Sequence, residues 1–529
     1  MSANQIKVRQ KEISKPKMKK INAFIYLAVI IFLGATLAFA VAVFSDKFNF
    51  SSAPLEIASE AGKTIIRVPP GGDLQAAVNK ANSGDVIELK AGATYYGEII
   101  LPNKPLTDFV TIQTSAVTQL PENQRIKPSQ SNLLAKIVSR GKGAPAVSTE
   151  NAAHHYRFVG IEFAPSNADY VYNLVLFGQP EKLADAAHHL EIDRCYFHDF
   201  KSGITRRAVA LNSQTTTIKN SYFEGFAYPQ QETQAILGWT GTKDVKIINN
   251  YIEGGAENIM FGGADPISAD LIPADIEVRG NHLNKPIEWK DKTTTKCLFE
   301  LKNAKRVQFV GNYLENNWVG SAFRITVRNQ DGNAPFSTIE DVLIKDNIVD
   351  GMGDGINILG KDDTHPSQTL KRLNIVNNLF LNIGGEKWEG SGYFVRVSDG
   401  EDILIANNTA FNIGNITSFG DLPRNFLFQD NIVGHGNYGI HGHDNIRSPA
   451  GQRMFQNNII VNNQKVTQSD TSFPAGNFWV QDYKYVGFMN FAQNDFRLAP
   501  VSRFKGKGAG KRDIGISIDI SDYLKIKAN

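Results

Sequence analysis

The residues best placed to do chemistry lie on one short segment in the middle of the chain. In residues 323–329 apolar and polar side chains alternate, so Arg324 and Arg328 share one face of a predicted strand. The preceding polar segment presents Glu300 and Lys302 in the same way. Two arginines, a lysine and a glutamate on one surface have the charges and donors that bind a carboxylate-bearing polymer.

Other segments carry outward polar residues at equivalent positions of the pattern. Arginine binds carboxylates in a bidentate manner, and neutralising a uronate carboxylate acidifies the C5 proton for removal by a basic side chain. The outward residues come from four to five successive coils. Because stacked strands lie about 4.8 Å apart, these residues form one continuous predicted strip. We therefore predict Lys302, Arg324 and Arg328 as catalytic residues, and Glu257, Asn258, Glu300, Asn357 and Arg396 as substrate-binding residues.

The same residues admit two other interpretations. Glu300 beside Arg324 or Lys302 is also compatible with an ordinary ion pair on a solvated face. A glycoside hydrolase needs two outward carboxylates about 5 to 10 Å apart, which Glu257 and Glu300 could supply. The sequence leaves lyase, hydrolase and noncatalytic binding open.

Metal binding has weaker support in the sequence. Glu257 and Asp265, near the Gly262-Gly263 pair, offer the hard oxygen ligands of a calcium site, although carboxylates at a turn are the commoner explanation. His441 and His443 point the same way on a strand but need a third ligand. We predict no metal ligands and no certain cofactor, with Ca²⁺ as the open alternative.

A repeated phrase predicts the elements that position these residues. The phrase has six positions: an apolar residue, any residue, then Asn, Gly or Asp, then Asn, any residue, and another apolar residue. It occurs around Asn250, Asn281 and Asn312. Eleven such anchors, from Ile161 to Asn458, recur at intervals of 23 to 35 residues, and eight of them are Asn. This elastic spacing, with short β-rich runs between anchors, predicts a β-solenoid of about 11–12 coils stabilised by an asparagine ladder.

The turn chemistry agrees with this interpretation. Sharp bends between strands require the left-handed backbone region, which Asn, Gly and Asp tolerate best. Open ends of a solenoid require caps, and residues 73–81 have the pattern of a short amphipathic helix with Asp73 as its N-cap. From residue 478 onward the phrase is absent, which predicts a closing segment.

The N-terminus has the pattern of a membrane signal-anchor. Residues 21–44 carry no charge and are long enough to cross a bilayer as a helix, and four lysines precede them. We predict a cytoplasmic basic tail at 1–20, a transmembrane helix at 21–44, a linker at 45–62 and a β-helix domain at 63–520, with its N-terminal cap at 63–100. The bulk of the chain then lies outside the cytoplasm, in the periplasm or at the cell surface. Cleavage after a signal peptide at Ala38-Phe39-Ala40 is the alternative, and would make the protein secreted.

Composition excludes several other classes. The 529 residues are 42% hydrophobic and 21% charged, which is typical of a folded chain. The net charge of +3 comes from the basic N-terminal 20 residues, so the remainder has no nucleic-acid-binding character. The two cysteines, Cys195 and Cys297, lie in different coils, and we predict free thiols.

Several phrases resemble the right-handed parallel β-helix proteins of the pectate lyase-like superfamily across residues 64–520. The opening phrase IRVPPGGDLQAAVNKANSGDVIEL resembles their N-terminal cap and first strand, and NDFRL followed by DIG resembles their ending. The central phrases AENIMFGGADP, FELKNAKRVQFVGN and VRNQDG are similar to an uncharacterised bacterial group within that superfamily.

The resemblance implies an all-β, right-handed parallel β-helix that binds polysaccharide. Members cleave acidic polysaccharides by β-elimination, hydrolyse or epimerise glycans, or act as adhesins. The calcium-binding glutamates of the lyases that degrade alginate and dermatan have no complete counterpart in this sequence. We therefore predict an exported protein that binds an acidic polysaccharide, as the charge of the strip indicates, and cleaves it as a lyase. An adhesin, an envelope structural protein and a glycoside hydrolase are the alternatives.

Overall fold

The computed structural model describes residues 53–60, 63–167, 169–200, 204–442, 454–462 and 474–528. The predicted basic tail and membrane segment, 1–20 and 21–44, lie outside these ranges. Within them, no helix is long and apolar enough to cross a membrane.

The described chain is predominantly β and forms a solenoid of parallel strands. Its first sheet has fifteen strands. The first two strands pair antiparallel, and all later neighbours pair in parallel. The strands are Glu56–Glu60, Lys63–Val68, Val86–Leu89, Val110–Thr114, His154–Val159, Ala187–Asp193, Ser213–Lys219, Lys243–Ile248, Ala274–Arg279, Ala304–Val310, Ile339–Lys345, Lys371–Val376, Glu401–Ala406, Arg424–Gln429 and Phe455–Gln456.

The second sheet has 24 strands and contains two rows, which we call the turn row and the site row. The turn row consists of Thr94–Tyr96, Ala135–Ser139, Ile161–Pro165, Tyr196–His198, Tyr222–Glu224, Tyr251–Glu253, His282–Asn284, Leu379–Ile383, Thr409–Asn412, Ile432–Gly434, Ile459–Val461 and Phe478–Val480. The site row consists of Ile99–Leu101, Val147–Thr149, Val171–Leu176, Thr205–Ala210, Gln234–Gly238, Glu257–Phe261, Phe299–Leu301, Val395–Ser398, Thr417–Phe419 and Ile440–His441. Two long strands, Tyr313–Thr326 and Ile348–Leu359, belong to both rows.

Short helices and one small sheet complete the described chain. The α-helices are Leu74–Lys80 and Ile520–Ala528, and an antiparallel pair joins Phe488–Asn490 to Asp495–Leu498. The 3₁₀ turns are Val117–Gln119, Pro128–Leu133, Leu183–Asp185, Ala269–Leu271, Ile287–Trp289, Tyr483–Tyr485, Phe491–Gln493 and Ala509–Lys511. The helix predicted at 73–81 is present, and the Asp73 carboxylate accepts a hydrogen bond from the backbone N–H of Ala76 at 2.9 Å.

The number of coils exceeds the predicted 11–12. Lys63–Val68, Val86–Leu89 and Val110–Thr114 already pair in register within the first sheet, ahead of the first anchor at Ile161. These coils lack the asparagine phrase, so counting anchors missed them. Part of the segment predicted as an N-terminal cap is therefore solenoid.

The asparagine ladder is the main polar feature of the interior. The backbone N–H and the side-chain amide of Asn281 both donate to Oδ1 of Asn312, at 2.9 and 3.0 Å. Asn281 also donates to the carbonyl of Ile247 at 2.8 Å, so its amide is fully used inside the core. Equivalent bonds continue to Asn458 and end on Asn477, one rung beyond the predicted ladder.

The residue before each ladder asparagine makes the bend. Asn249, Gly280, Gly311, Asp346 and Asn377 all have φ between 54° and 67°, in the left-handed region. Each directs the chain into the next strand while the following Asn side chain turns inward. The Asn-Asn, Gly-Asn and Asp-Asn pairs are confirmed as turn signals.

We expect Asn312→Ala to destabilise the fold by about 3 kcal/mol, because it leaves two buried donors of Asn281 without an acceptor. Urea unfolding of the purified chain measures this free energy. Gln308→Ala, at an exposed position of the same coil, is the control and should change stability by less than about 0.5 kcal/mol. Equal losses in both variants would contradict the role of the ladder.

Aromatic rings and two thiols fill the interior at the N-terminal half. Phe163, Phe197 and Phe223 stack at centroid distances of 4.7 and 4.5 Å. Cys195 and Cys297 are both buried and unbridged, which confirms the predicted free thiols. Burial is the main cause that raises the pKa of each thiol, to about 12 for Cys195.

The C-terminal segment runs back along the outside of the turn row. The Asp430 carboxylate accepts from the backbone of Ala509 at 3.0 Å, and the Asn377 side chain accepts from that of Ser517 at 2.7 Å. Further toward the N-terminus, Lys527 forms an ion pair with Glu315. The segment thus covers several successive coils and leaves the site row outside its path.

Four histidines form a cluster on the outer face of the first sheet. The rings of His154 and His188 stack at 4.7 Å, and those of His155 and His189 at 4.6 Å. Within each adjacent pair the two Nδ1 atoms lie 2.7 Å apart. Burial and the neighbouring imidazoles lower the pKa of His188 to about 4, and they also lower those of His154 and His155, whereas Asp108 opposes the change at His155.

Stability should therefore fall on acidification. Between the ordinary histidine pKa of about 6.5 and the lowered folded value, the unfolded chain binds protons that the folded chain does not, so unfolding becomes easier as pH decreases. We expect a His154→Gln, His188→Gln variant to lose less stability than the wild type between about pH 7 and about pH 5. Urea midpoints check this, with His441→Gln, at an exposed position, as the control. Parallel pH profiles in all three proteins would contradict it.

Candidate functional site

The strand register of the site row aligns four of the predicted residues. Glu300 pairs with Arg324, Arg324 with Asn357, and Asn357 with Arg396, one per coil. Their sequence neighbours Phe299, Phe323, Ile356 and Val395 pair in the same way and are fully buried. Because side chains alternate along a strand, the polar four form one outward column.

A pocket of about 360 Å³ opens beside this column. The strand ends supply Glu300, Lys302, Arg324 and Arg328, and the loop after Ile348–Leu359 supplies the opposite wall. The complete lining is Lys296, Glu300, Lys302, Arg324, Thr326, Arg328, Gln330, Asp362, Asp363, Thr364 and His365. The structure thus brings the three predicted catalytic residues together with Glu300.

The pocket cations differ in how firmly they are held. Arg328 forms ion pairs with Asp362, at 3.3 Å, and with Asp363, which fix its guanidinium against the loop. Among the described residues, the one hydrogen bond of Lys302 Nζ is a long contact of 3.4 Å to Oε1 of Gln330. Nε of Arg324 is buried and has no hydrogen-bond partner among the described residues. Arg324 and Lys302 therefore have donor capacity left for a ligand.

Glu300 is the unusual acid of the site. Its side chain is 1% exposed, and its Oε2 has no hydrogen-bond partner in the described chain. Burial and the nearby Glu257 raise the pKa of Glu300 to about 7, against the opposing pull of Lys302, Lys296 and Arg324. The charge of the pocket therefore changes near neutral pH.

Glu257 lies beneath the pocket and does not line it. It is fully buried, accepts a hydrogen bond from Gln234 at 2.7 Å and pairs with Lys296 at 3.3 Å. Lys296 also pairs with Glu232 at 2.8 Å. Burial lowers the pKa of Lys296, but Glu257, Glu300 and Glu232 together raise it above its ordinary value, so this lysine stays charged.

Besides Glu257, three of the predicted binding residues do not reach the cavity wall: Asn258, Asn357 and Arg396. Asn258 is fully buried; its amide donates to the carbonyls of Ile252 and Asn284, and its oxygen accepts from Lys285 at 3.2 Å. Asn357 stays in the outward column between two arginines, beyond the pocket.

Arg396 also lies beyond the pocket, where Asp354 pairs with it at 3.2 Å and Tyr393 lies against its guanidinium. Asn258 therefore stabilises the turn, whereas Asn357 and Arg396 extend the polar column.

The two carboxylates considered for calcium have separate partners. Oδ2 of Asp265 accepts from the backbone N–H groups of Asp331 and Asn333, both at 2.9 Å, while Glu257 pairs with Gln234 and Lys296. Among the residues that the structure describes, no group of three or more His, Cys, Asp or Glu side chains is arranged to hold a metal ion. Asp265 and Glu257 are thus engaged by different parts of the protein, and calcium binding stays a prediction.

Sequence reasoning missed the opposite wall of the pocket. Asp362, Asp363 and His365 follow a strand in the phrase KDDTHP, where polar residues are typical of any loop. Lys296 precedes its strand and lacks an alternation signal. Only the stacking of coils shows that these residues face Arg324.

No protein-family model and no curated protein matches the sequence. Solved structures similar to the chain include a mannuronic acid-specific polysaccharide family 6 lyase from the human gut microbiota, 14% identical, with 79% of this chain and 92% of that chain covered and a TM-score of 0.42. A surface protein and adhesin of Streptococcus pneumoniae is 12% identical over 77% and 95% of the two chains, with a TM-score of 0.46. Because these identities and TM-scores are low, we assign the fold from the strand pairing of this chain and not from the similar structures.

Replacing Glu300 by Gln should make stability less sensitive to alkali. The folded pKa lies above the ordinary value, so the buried carboxyl is tolerated when protonated and costs stability as pH rises through about 7. We expect Glu300→Gln to match the wild type near pH 5 and to exceed it by on the order of 2 kcal/mol near pH 8. Urea unfolding checks this, with the exposed Glu122→Gln as the control. If the variant is less stable than the wild type near pH 8, ionised Glu300 does not destabilise the folded protein and the interpretation is wrong.

Proposed function

We propose that this chain binds an acidic polysaccharide in the pocket around Arg324 and cleaves it by β-elimination. The observation that carries the proposal concerns two residues on the wall of one cavity. Nε of Arg324 and Oε2 of Glu300 are both buried and have no hydrogen-bond partner among the described residues. Buried polar groups without partners are costly, so a ligand that satisfies both gains affinity. A uronate carboxylate satisfies the arginine directly, and protonated Glu300 can donate to it.

The chemistry follows from the placement of the cations. Arg324 binds the uronate carboxylate, and Lys296 and Arg328 add positive charge around it. Lys302 takes the C5 proton as the general base, the C4–O bond breaks, and a C4–C5 double bond forms at the new end of the chain. The leaving oxygen takes a proton from water, and the hydroxide that remains takes the C5 proton back from Lys302. Arg328 is a positioning residue when it holds the 362–363 loop.

Hydrolysis has less support than elimination. A hydrolase built on Glu257 and Glu300 needs both carboxylates at the sugar, but Glu257 lies under the wall and is bound by Gln234 and Lys296. Noncatalytic binding, as in an adhesin, uses the same pocket and differs only in its products.

We further propose that the domain is a right-handed parallel β-helix, the hand expected of parallel crossover connections. Export or anchoring by residues 21–44 would give it access to glycans outside the cytoplasm.

Binding of an oligouronate should depend on Arg324 and on salt. We expect Arg324→Ala to weaken binding about tenfold or more, since it removes a charged donor from a desolvated wall. Affinity should fall with added salt, because the Debye length is about 8 Å at physiological ionic strength. Calorimetric titration measures both, with the exposed Arg424→Ala as the control. Unchanged affinity in an Arg324→Ala, Arg328→Ala variant would exclude this pocket.

Products distinguish the three activities. Ultraviolet absorbance of an unsaturated uronate end indicates the lyase, and new reducing ends without that absorbance indicate a hydrolase. Binding with no new ends indicates an adhesin.

A further inference from the structure

Three tyrosines form an aromatic surface on the N-terminal side of the pocket, here called the tyrosine platform: Tyr170, Tyr172 and Tyr228. The rings of Tyr170 and Tyr172 meet edge to face at 4.8 Å, and those of Tyr170 and Tyr228 lie 5.8 Å apart. Tyr172 is 53% exposed, so its ring is accessible to a ligand. The ring packs closely over Gly143, where an added Cβ would lie 3.0 Å from it.

A continuous polar row connects the platform to the pocket. Arg207 donates to Asn173 at 3.3 Å and to Gln234 at 3.2 Å. Gln234 donates in turn to Glu257 at 2.7 Å, and Glu257 pairs with Lys296 on the pocket wall. Asn173 follows Tyr172 in the sequence, so the row begins beside the platform.

The loop between two strands gives a second connection. Tyr170 donates to Gln231 at 2.9 Å, and the next residue, Glu232, pairs with Lys296 at 2.8 Å. Nε of Arg206, between these groups, is buried and has no hydrogen-bond partner among the described residues. Like Arg324 in the pocket, Arg206 beside the platform therefore has a donor without a protein partner.

Resting on the proposed function, we propose that the tyrosine platform binds a more distant part of the same polysaccharide chain. The strands from Val171–Leu176 to Phe299–Leu301 are four steps apart in the site row, which separates Tyr172 from Glu300 by on the order of 19 Å. A disaccharide bound at Glu300 cannot reach Tyr172, whereas an octasaccharide extends along the row. Tyrosine rings stack on the apolar faces of sugar rings, and Arg206 binds a uronate carboxylate there.

This arrangement makes the protein selective for long chains. The occupant is the continuing glycan rather than a protein partner, because both connections lead from the platform to charged groups of the pocket. The pocket supplies charge recognition, and the platform supplies contact area that only a longer ligand can use.

The test compares an oligouronate octasaccharide with the corresponding disaccharide by calorimetric titration of the full chain. We expect Tyr172→Ala to weaken octasaccharide binding about tenfold while leaving disaccharide binding unchanged. Tyr172→Phe keeps the ring and should bind like the wild type. Tyr485→Ala, which removes another exposed tyrosine, is the matched control.

The outcomes separate this inference from the proposed function. If Arg324→Ala weakens both ligands and Tyr172→Ala weakens neither, the pocket stands and the platform is not a subsite. If Tyr172→Ala weakens both ligands equally, the length dependence is wrong. If the wild type binds neither ligand, the proposed function fails and the platform proposal fails with it.

Discussion

The coils that form the candidate site depend on the buried asparagine ladder and on the left-handed residue before each of its rungs. Each ladder Asn accepts from the backbone of the previous rung and donates to the next, so a coil cannot shift along its neighbour without leaving buried amides unpaired. The repeats differ in length, and the extra residues lie in the loops between strands. The ladder therefore fixes the register of coils that share little else in sequence.

Fixed register is also what creates the candidate site. Glu300 and Arg324 are adjacent only because Phe299 lies opposite Phe323 in the core. The same stacking places Glu257 beneath the wall, and burial together with this second carboxylate raises the pKa of Glu300 above its ordinary value. A charge-sensitive pocket thus follows from close packing of polar residues in successive coils.

Much of the fold could be predicted from the sequence, since the ladder phrase is local and its chemistry is specific. The helix capped by Asp73 and the turn at Gly280 are of this kind. The early coils could not be counted, because their turns use other residues. In the site, alternation predicted the outward column of Glu300, Arg324, Asn357 and Arg396. It did not predict that Asn258 is turned into the core, or that Asp362 and His365 close the pocket, because those positions depend on loops whose paths no periodic pattern records.

The central claim is that the pocket around Glu300 is the glycan site and that its charge is set by burial. A carbon-13 nuclear magnetic resonance titration of the glutamate carboxyls, assigned with Glu300→Gln, tests it most directly. The account predicts a carboxyl that titrates with a pKa of about 7 and whose pKa rises further when an oligouronate binds, because a nearby anion disfavours ionisation. A Glu300 carboxyl that titrates at its ordinary value, or one that saturating ligand leaves unmoved, would contradict the account.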